Sequence, residues 1–127
     1  MKITALYAAP LAFLFVILSM RVVAARRQAK VALGDGGDAA LRRAMRAHGN
    51  CAEYVPFALV LLAVAEVGHV SIYALHAIGL MLVVGRFVHA FGISRPRENL
   101  RFRVVGMSLT YGALIAGGLA DLSLVLA

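Results

Sequence analysis

The sequence holds a single cysteine, Cys51, among 127 residues, so no intrachain disulfide can staple the fold. A lone helix cysteine is most often a small packing residue, and Cys51 is read as one rather than as a nucleophile. The four histidines are scattered and, with that one cysteine, lack the spacing of a metal site. No Ser/His/Asp set is visible. GDGGD at Gly34–Asp38 has neither the preceding strand nor the glycine spacing of a phosphate-cradling loop, which leaves a flexible connector. Acids are few, six against 13 Lys and Arg, for a formal net charge of +7. The basic residues do not interleave with aromatics and no recognition motif accompanies them, which argues against nucleic acid as a partner.

What is abundant is apolar. Hydrophobic residues make up 62% of the chain and the mean hydropathy is +0.87, well above the roughly 45–50% apolar content of soluble domains. The excess falls in four blocks, so the expected fold is all-α: one polytopic four-helix transmembrane bundle spanning 1–127. Ile3 to Met20 carries no charge and is just long enough to cross about 30 Å of hydrocarbon. A cleaved signal peptide is the competing reading, but its apolar part is usually about 7–15 residues and Arg21 interrupts the small-residue stretch. A retained first helix is expected, continuing to Lys30. The second helix is expected from Asp38, as N-cap, to Val67, with Pro56 bending it. A turn at Gly68-His69 leads to a third helix over Val70–Ile93, ended before Pro96, and a fourth runs from Leu100 to Leu126.

Twelve of the 13 basic residues lie between Arg21 and Glu53 or between Arg86 and Arg103, and Lys2 alone lies on the other side. The positive-inside rule then puts the rich side in the cytoplasm and both termini outside.

The second helix carries the functional signal. In LRRAMRAHGNCAEYVP, Arg42, Arg46, Asn50, Glu53 and Phe57 share one face at 3.6 residues per turn, yet the segment runs straight into FALVLLAVA. Polar groups entering a membrane-grade helix are costly unless they pair or bind something. A satisfied seam between packed helices is one reading. The other is a site for a small charged ligand, fed by Arg26, Arg27, Arg86, His89, Arg101 and Arg103 from the basic loops and helix ends. Arginine forks hold carboxylates, Glu53 suits an ammonium, and an arginine cluster favours a thiolate on a bound ligand. Such a ligand's sulfur could attack a lipophilic electrophile arriving from the bilayer without any protein nucleophile. His76 reads as a packed or interfacial histidine. His48 lies about 160° from Asn50, so one chain cannot aim both at one ligand.

The run RAHGNCAEYVP, with Arg46, Asn50, Glu53, Tyr54 and Pro56, resembles the signature of the MAPEG family, the membrane-associated proteins in eicosanoid and glutathione metabolism. The leukotriene C synthase branch carries a closely similar string. ARRQAKV, GRFVH at Gly85–His89 and an arginine opening the fourth helix extend the likeness along nearly the whole chain, most closely to the small bacterial inner-membrane members. That resemblance implies a homotrimer with glutathione held between neighbouring subunits near the cytoplasmic face. It assigns glutathione binding to Arg46, Asn50, Glu53 and Tyr54, to Arg86 and His89, and to Arg26 or Arg27 of the adjacent subunit. Thiolate stabilisation falls to Arg103, or to Arg101 across a short gap. A tyrosine expected one turn after His89 is Ile93 here, and Gly49 replaces a basic residue of the prostaglandin E synthase branch. The implied activity is a glutathione transferase or peroxidase acting on lipophilic electrophiles. Two further readings stay open: a non-catalytic protein of the same fold that binds lipid or glutathione, and a small cation exporter.

Overall fold

Each apolar run folds as a single long helix, because a backbone crossing hydrocarbon must satisfy its own N–H and C=O groups. In the computed structural model, which describes residues 1–95 and 99–126, the four helices are α1 (Lys2–Ala29), α2 (Ala39–Val67), α3 (Ile72–Ile93) and α4 (Leu100–Leu126). All four are long and apolar enough to cross a membrane. They run alternately up and down, so one end of the bundle gathers the end of α1, the start of α2, the end of α3 and the start of α4. This is the basic end.

Local chemistry sets the boundaries. Asp38 caps α2, its carboxylate accepting from the Leu41 N–H at 2.7 Å. Lys30 closes α1 in a left-handed conformation (φ 55°), with its own N–H and that of Val31 returned to the Arg27 and Arg26 carbonyls. His69 (φ 59°) does the same for α2, and the Val70 N–H bonds the Ala65 carbonyl at 3.0 Å. That bond commits Val70 to finishing α2, so α3 begins at Ile72 rather than at the expected Val70. Pro10 and Pro56 both lie inside helices that continue past them. Pro96, the expected stop after the third helix, falls outside the described residues.

The connector between α1 and α2 is held by its own charges. Asp35 accepts from the Gly37 N–H at 3.0 Å and pairs with Arg42 at 2.6 Å. The Gly37 N–H and then the Arg42 guanidinium hold this carboxyl below the usual aspartate range. Arg42, the first member of the polar stripe, is therefore spent on the connector.

At the opposite end α2 grips α1. Glu66 accepts from the Ile3 N–H (3.0 Å), the Thr4 N–H (2.8 Å) and the Thr4 hydroxyl (2.6 Å). A carboxylate from another helix thus satisfies donors that a helix start leaves orphaned. Tyr7 donates to or accepts from His76 at 2.8 Å and seats its ring on Gly79, where a Cβ would collide with it.

α3 is the most enclosed helix, burying Leu75, Ile78, Leu82, Arg86, His89 and Ile93 among others. It packs most intimately on α4 because glycines remove side chains from the seam. A Cβ at Gly106 would stand 2.5 Å from the His89 backbone nitrogen, and one at Gly92 would stand 2.8 Å from the Phe102 Cβ. This close approach carries Arg103 up to His89.

Candidate functional site

The site begins with a buried cation. Arg86 is fully enclosed (0% exposed) in the interior of the bundle. Its Nη2 donates to the Asn50 amide oxygen at 2.8 Å and lies 3.3 Å from His89 Nδ1. Its Nη1 reaches the Thr110 hydroxyl at 3.5 Å and Met107 Sδ at 3.6 Å, and Thr110 in turn donates to the Gly106 carbonyl at 2.8 Å. One guanidinium therefore joins α2, α3 and α4. An unpaired buried charge would be costly, so this network orients Asn50 and His89 as well as stabilising the seam. With Nδ1 facing a guanidinium, the His89 ring is suited to accept there and to carry its proton on Nε2.

Above the network, at the basic end, lies a cavity of about 90 Å³ lined by Met45, Arg46, Gly49, Asn50, Glu53, His89, Ile93 and Arg103. α2 supplies two turns of its polar face, α3 its last buried turn, and α4 its opening arginine. The cavity adjoins a wider groove of about 400 Å³, which it shares through Asn50, His89 and Arg103. That groove continues along α4 past Leu100, Val104, Met107, Ser108 and Tyr111, with Tyr54 on its α2 side. Tyr54 and Tyr111 meet there, hydroxyl to hydroxyl at 3.3 Å. A polar cup with a carboxylate and two guanidiniums thus opens into a mixed furrow, apolar at Leu100, Val104 and Met107 and hydroxyl-bearing at Tyr54, Ser108 and Tyr111.

Comparison with known proteins decides the lineage. The MAPEG family profile matches residues 4–122. The chain belongs to the MAPEG family. It is 40% identical over 120 residues to inner membrane protein YecN of Escherichia coli (strain K12), a match covering 94% of this chain and 90% of that protein. The YecN of Escherichia coli O6:H1 matches to the same extent.

Within this MAPEG chain the residues singled out from the sequence divide into three groups. Arg46, Asn50, Glu53, His89 and Arg103 share one cavity, and Tyr54 lines the adjoining groove. Arg86 lies beneath them, holding Asn50, and lines neither space. Arg26 and Arg27 lie off the cavity wall of their own chain. Arg26 donates to the Gly34 carbonyl at 2.8 Å and touches Met45 Sδ at 3.6 Å, while Arg27 is exposed. Arg101 lines neither the cavity nor the groove and lies on an adjoining surface with Leu100, Val104 and Val105, whereas Arg103 enters both spaces.

His48 packs on Phe15 of its own α1, ring centroids 4.6 Å apart, which leaves it a structural part. Cys51 is fully buried. Ile93 brings hydrocarbon to the cavity wall where the resemblance would place a phenol. Thr110, Met107 and Tyr111 carry no motif that marks them in the sequence, although Arg103, Met107 and Thr110 recur at helical spacing along one face of α4.

Proposed function

We propose that this protein is a bacterial inner-membrane, glutathione-dependent transferase with peroxidase-like capacity toward lipophilic electrophiles. The observation that carries the reading is the meeting of Arg46, Asn50, Glu53, His89 and Arg103 in one cavity that opens into a groove with an apolar side at Leu100, Val104 and Met107. Arg46 suits a carboxylate of the tripeptide and Glu53 its ammonium, while Asn50 and Tyr54 offer hydrogen bonds. Arg86 serves by fixing Asn50 and His89. Arg103 favours the thiolate electrostatically, because a guanidinium beside a thiol stabilises its charged form.

In the transferase reaction the thiolate sulfur bonds to the electrophilic carbon and the leaving group departs with the displaced electron pair. With a hydroperoxide, the sulfur attacks the O–O bond, giving a sulfenic acid and an alcohol. A second glutathione then converts the sulfenic acid to disulfide and water. The electrophile enters along the Val104–Met107–Tyr111 side of the groove, directly from lipid.

One chain does not complete the site. A cavity of about 90 Å³ is well below the roughly 300–1,000 Å³ of pockets that enclose small-molecule ligands. A second copy supplies the missing wall, with Arg26 or Arg27 of its α1, in a homotrimer. The basic end faces the cytoplasm, where glutathione is available, and both termini lie outside.

Calorimetry in detergent tests the binding step: millimolar glutathione gives a saturable heat with the native chain. Absence of that heat refutes the proposal. Ile93 favours a second reading, a protein that holds glutathione without turnover, since the cavity lacks the extra hydroxyl. Under that reading the bound thiol titrates near its free value of about 8.5, and conjugation that Arg103→Ala abolishes would eliminate it.

A further inference from the structure

A second cleft lies between α1 and α2 at the basic end and shares no lining residue with the cavity or groove described above. It holds about 290 Å³ and is lined by Arg21, Ala24, Ala25 and Gln28 of α1, by Ala40, Arg43 and Ala44 of α2, and by Ser94. The spacing explains the opening. Arg21, Ala24, Ala25 and Gln28 form one stripe of α1, while Ala40, Arg43 and Ala44 form one stripe of α2. Where the stripes face each other the alanines leave space, and each stripe carries one arginine beside it. Among the described residues neither Arg21 nor Arg43 has a carboxylate partner; the two ion pairs found involve Glu66 and the Asp35–Arg42 pair. Two cations therefore flank a cleft that no carboxylate among the described residues neutralises.

Its depth is fixed by the chain. Arg21 follows 18 uncharged residues that rise about 27 Å as a helix, which sets it at the boundary between hydrocarbon and headgroups. Arg43 faces it across the cleft from α2. From charge, shape and depth together, we infer that this cleft seats the phosphodiester of one anionic phospholipid between Arg21 and Arg43. Two guanidinium forks match phosphate oxygens bidentately, Gln28 and Ser94 offer neutral hydrogen bonds to glycerol, and the acyl chains descend along the apolar outer face of α1. The site is independent of glutathione.

Native mass spectrometry of the full chain, released from detergent with phosphatidylglycerol or with phosphatidylcholine of the same acyl chains, tests it. The native chain retains one phosphatidylglycerol in preference to phosphatidylcholine by roughly thirtyfold, as expected for two basic residues at a membrane surface. The double variant R21Q/R43Q loses that preference. A44L, which fills the cleft without altering charge, also loses the lipid, whereas R42Q, outside the cleft, keeps it. Equal retention of both lipids overturns the assignment. So does retention by A44L, or loss in R42Q as large as in the double variant. Displacement of the lipid by excess inorganic phosphate would show a free-anion site instead and equally overturn it. Circular dichroism melts confirm that each variant compared is folded.

Discussion

At the scale of single residues the decisive distinction is between Arg103 and Arg101. They are two positions apart, about 200° around a helix, so only one can face the cavity. Arg103→Ala is expected to lower conjugation about 10- to 100-fold, the worth of a charge-assisted contact to the thiolate of roughly 1.5–3 kcal/mol. Arg101→Ala should leave turnover near native, as measured by initial rates in the same detergent. Asn50 carries a different load. Asn50→Leu removes an acceptor from a fully buried guanidinium and should cost about 1.5–3 kcal/mol of stability, read as an earlier thermal unfolding transition. The sequence displayed the stripe of Arg46, Asn50 and Glu53, since polar groups at helical spacing in an apolar run are conspicuous. It could not show that Arg86 lies under the cavity instead of on it. That depends on how deeply α3 is enclosed, a tertiary property. Nor could it reveal that Arg42 turns to Asp35, because the loop's path decides which arginines remain for a ligand.

At the scale of helices, glycine holds the site together. Gly106→Leu would drive a side chain into the His89 backbone and force α3 from α4. The expected cost is about 1–3 kcal/mol or more, with a fall in activity, because His89 and Arg103 would separate. Thermal melts and turnover should decline together. Glu66 makes a test at the far end. Glu66→Gln weakens the shared cap of α1 by about 0.5–2 kcal/mol yet leaves glutathione binding unchanged, since the carboxylate is remote from the cavity.

The connector adds a pH effect. Asp35 has a lowered native value, so its contribution is complete above the ordinary value of 3.8 and disappears as pH falls through the lower one. Asp35→Asn should abolish that acid-side dependence of connector order, followed by hydrogen exchange. Helix number and nearly every boundary could be read from apolar blocks, Asp38 and the glycine-rich turn. The α3 start was misplaced by two residues because a left-handed His69, unlike a glycine, announces no cap. Tertiary capping by Glu66 left no local trace either, since its partners are more than 60 positions away.

At the scale of the whole molecule, the four spanning helices and the family membership stand together, and the placement of Arg26 and Arg27 carries the quaternary prediction. If those arginines complete a neighbour's cavity, chains bearing Arg46→Ala and chains bearing Arg26→Ala with Arg27→Ala should each be weak. Co-assembled, they should regain a fraction of native conjugation, because some interfaces then contain both intact halves. The most direct measurement of the central claim is a thiolate difference-absorbance titration of bound glutathione, with the native chain and with Arg103→Ala. The native protein should give a saturable thiolate signal at neutral pH that the variant reduces about tenfold or more while still binding glutathione. An unshifted thiol in the native protein, or a signal untouched by the substitution, would contradict it.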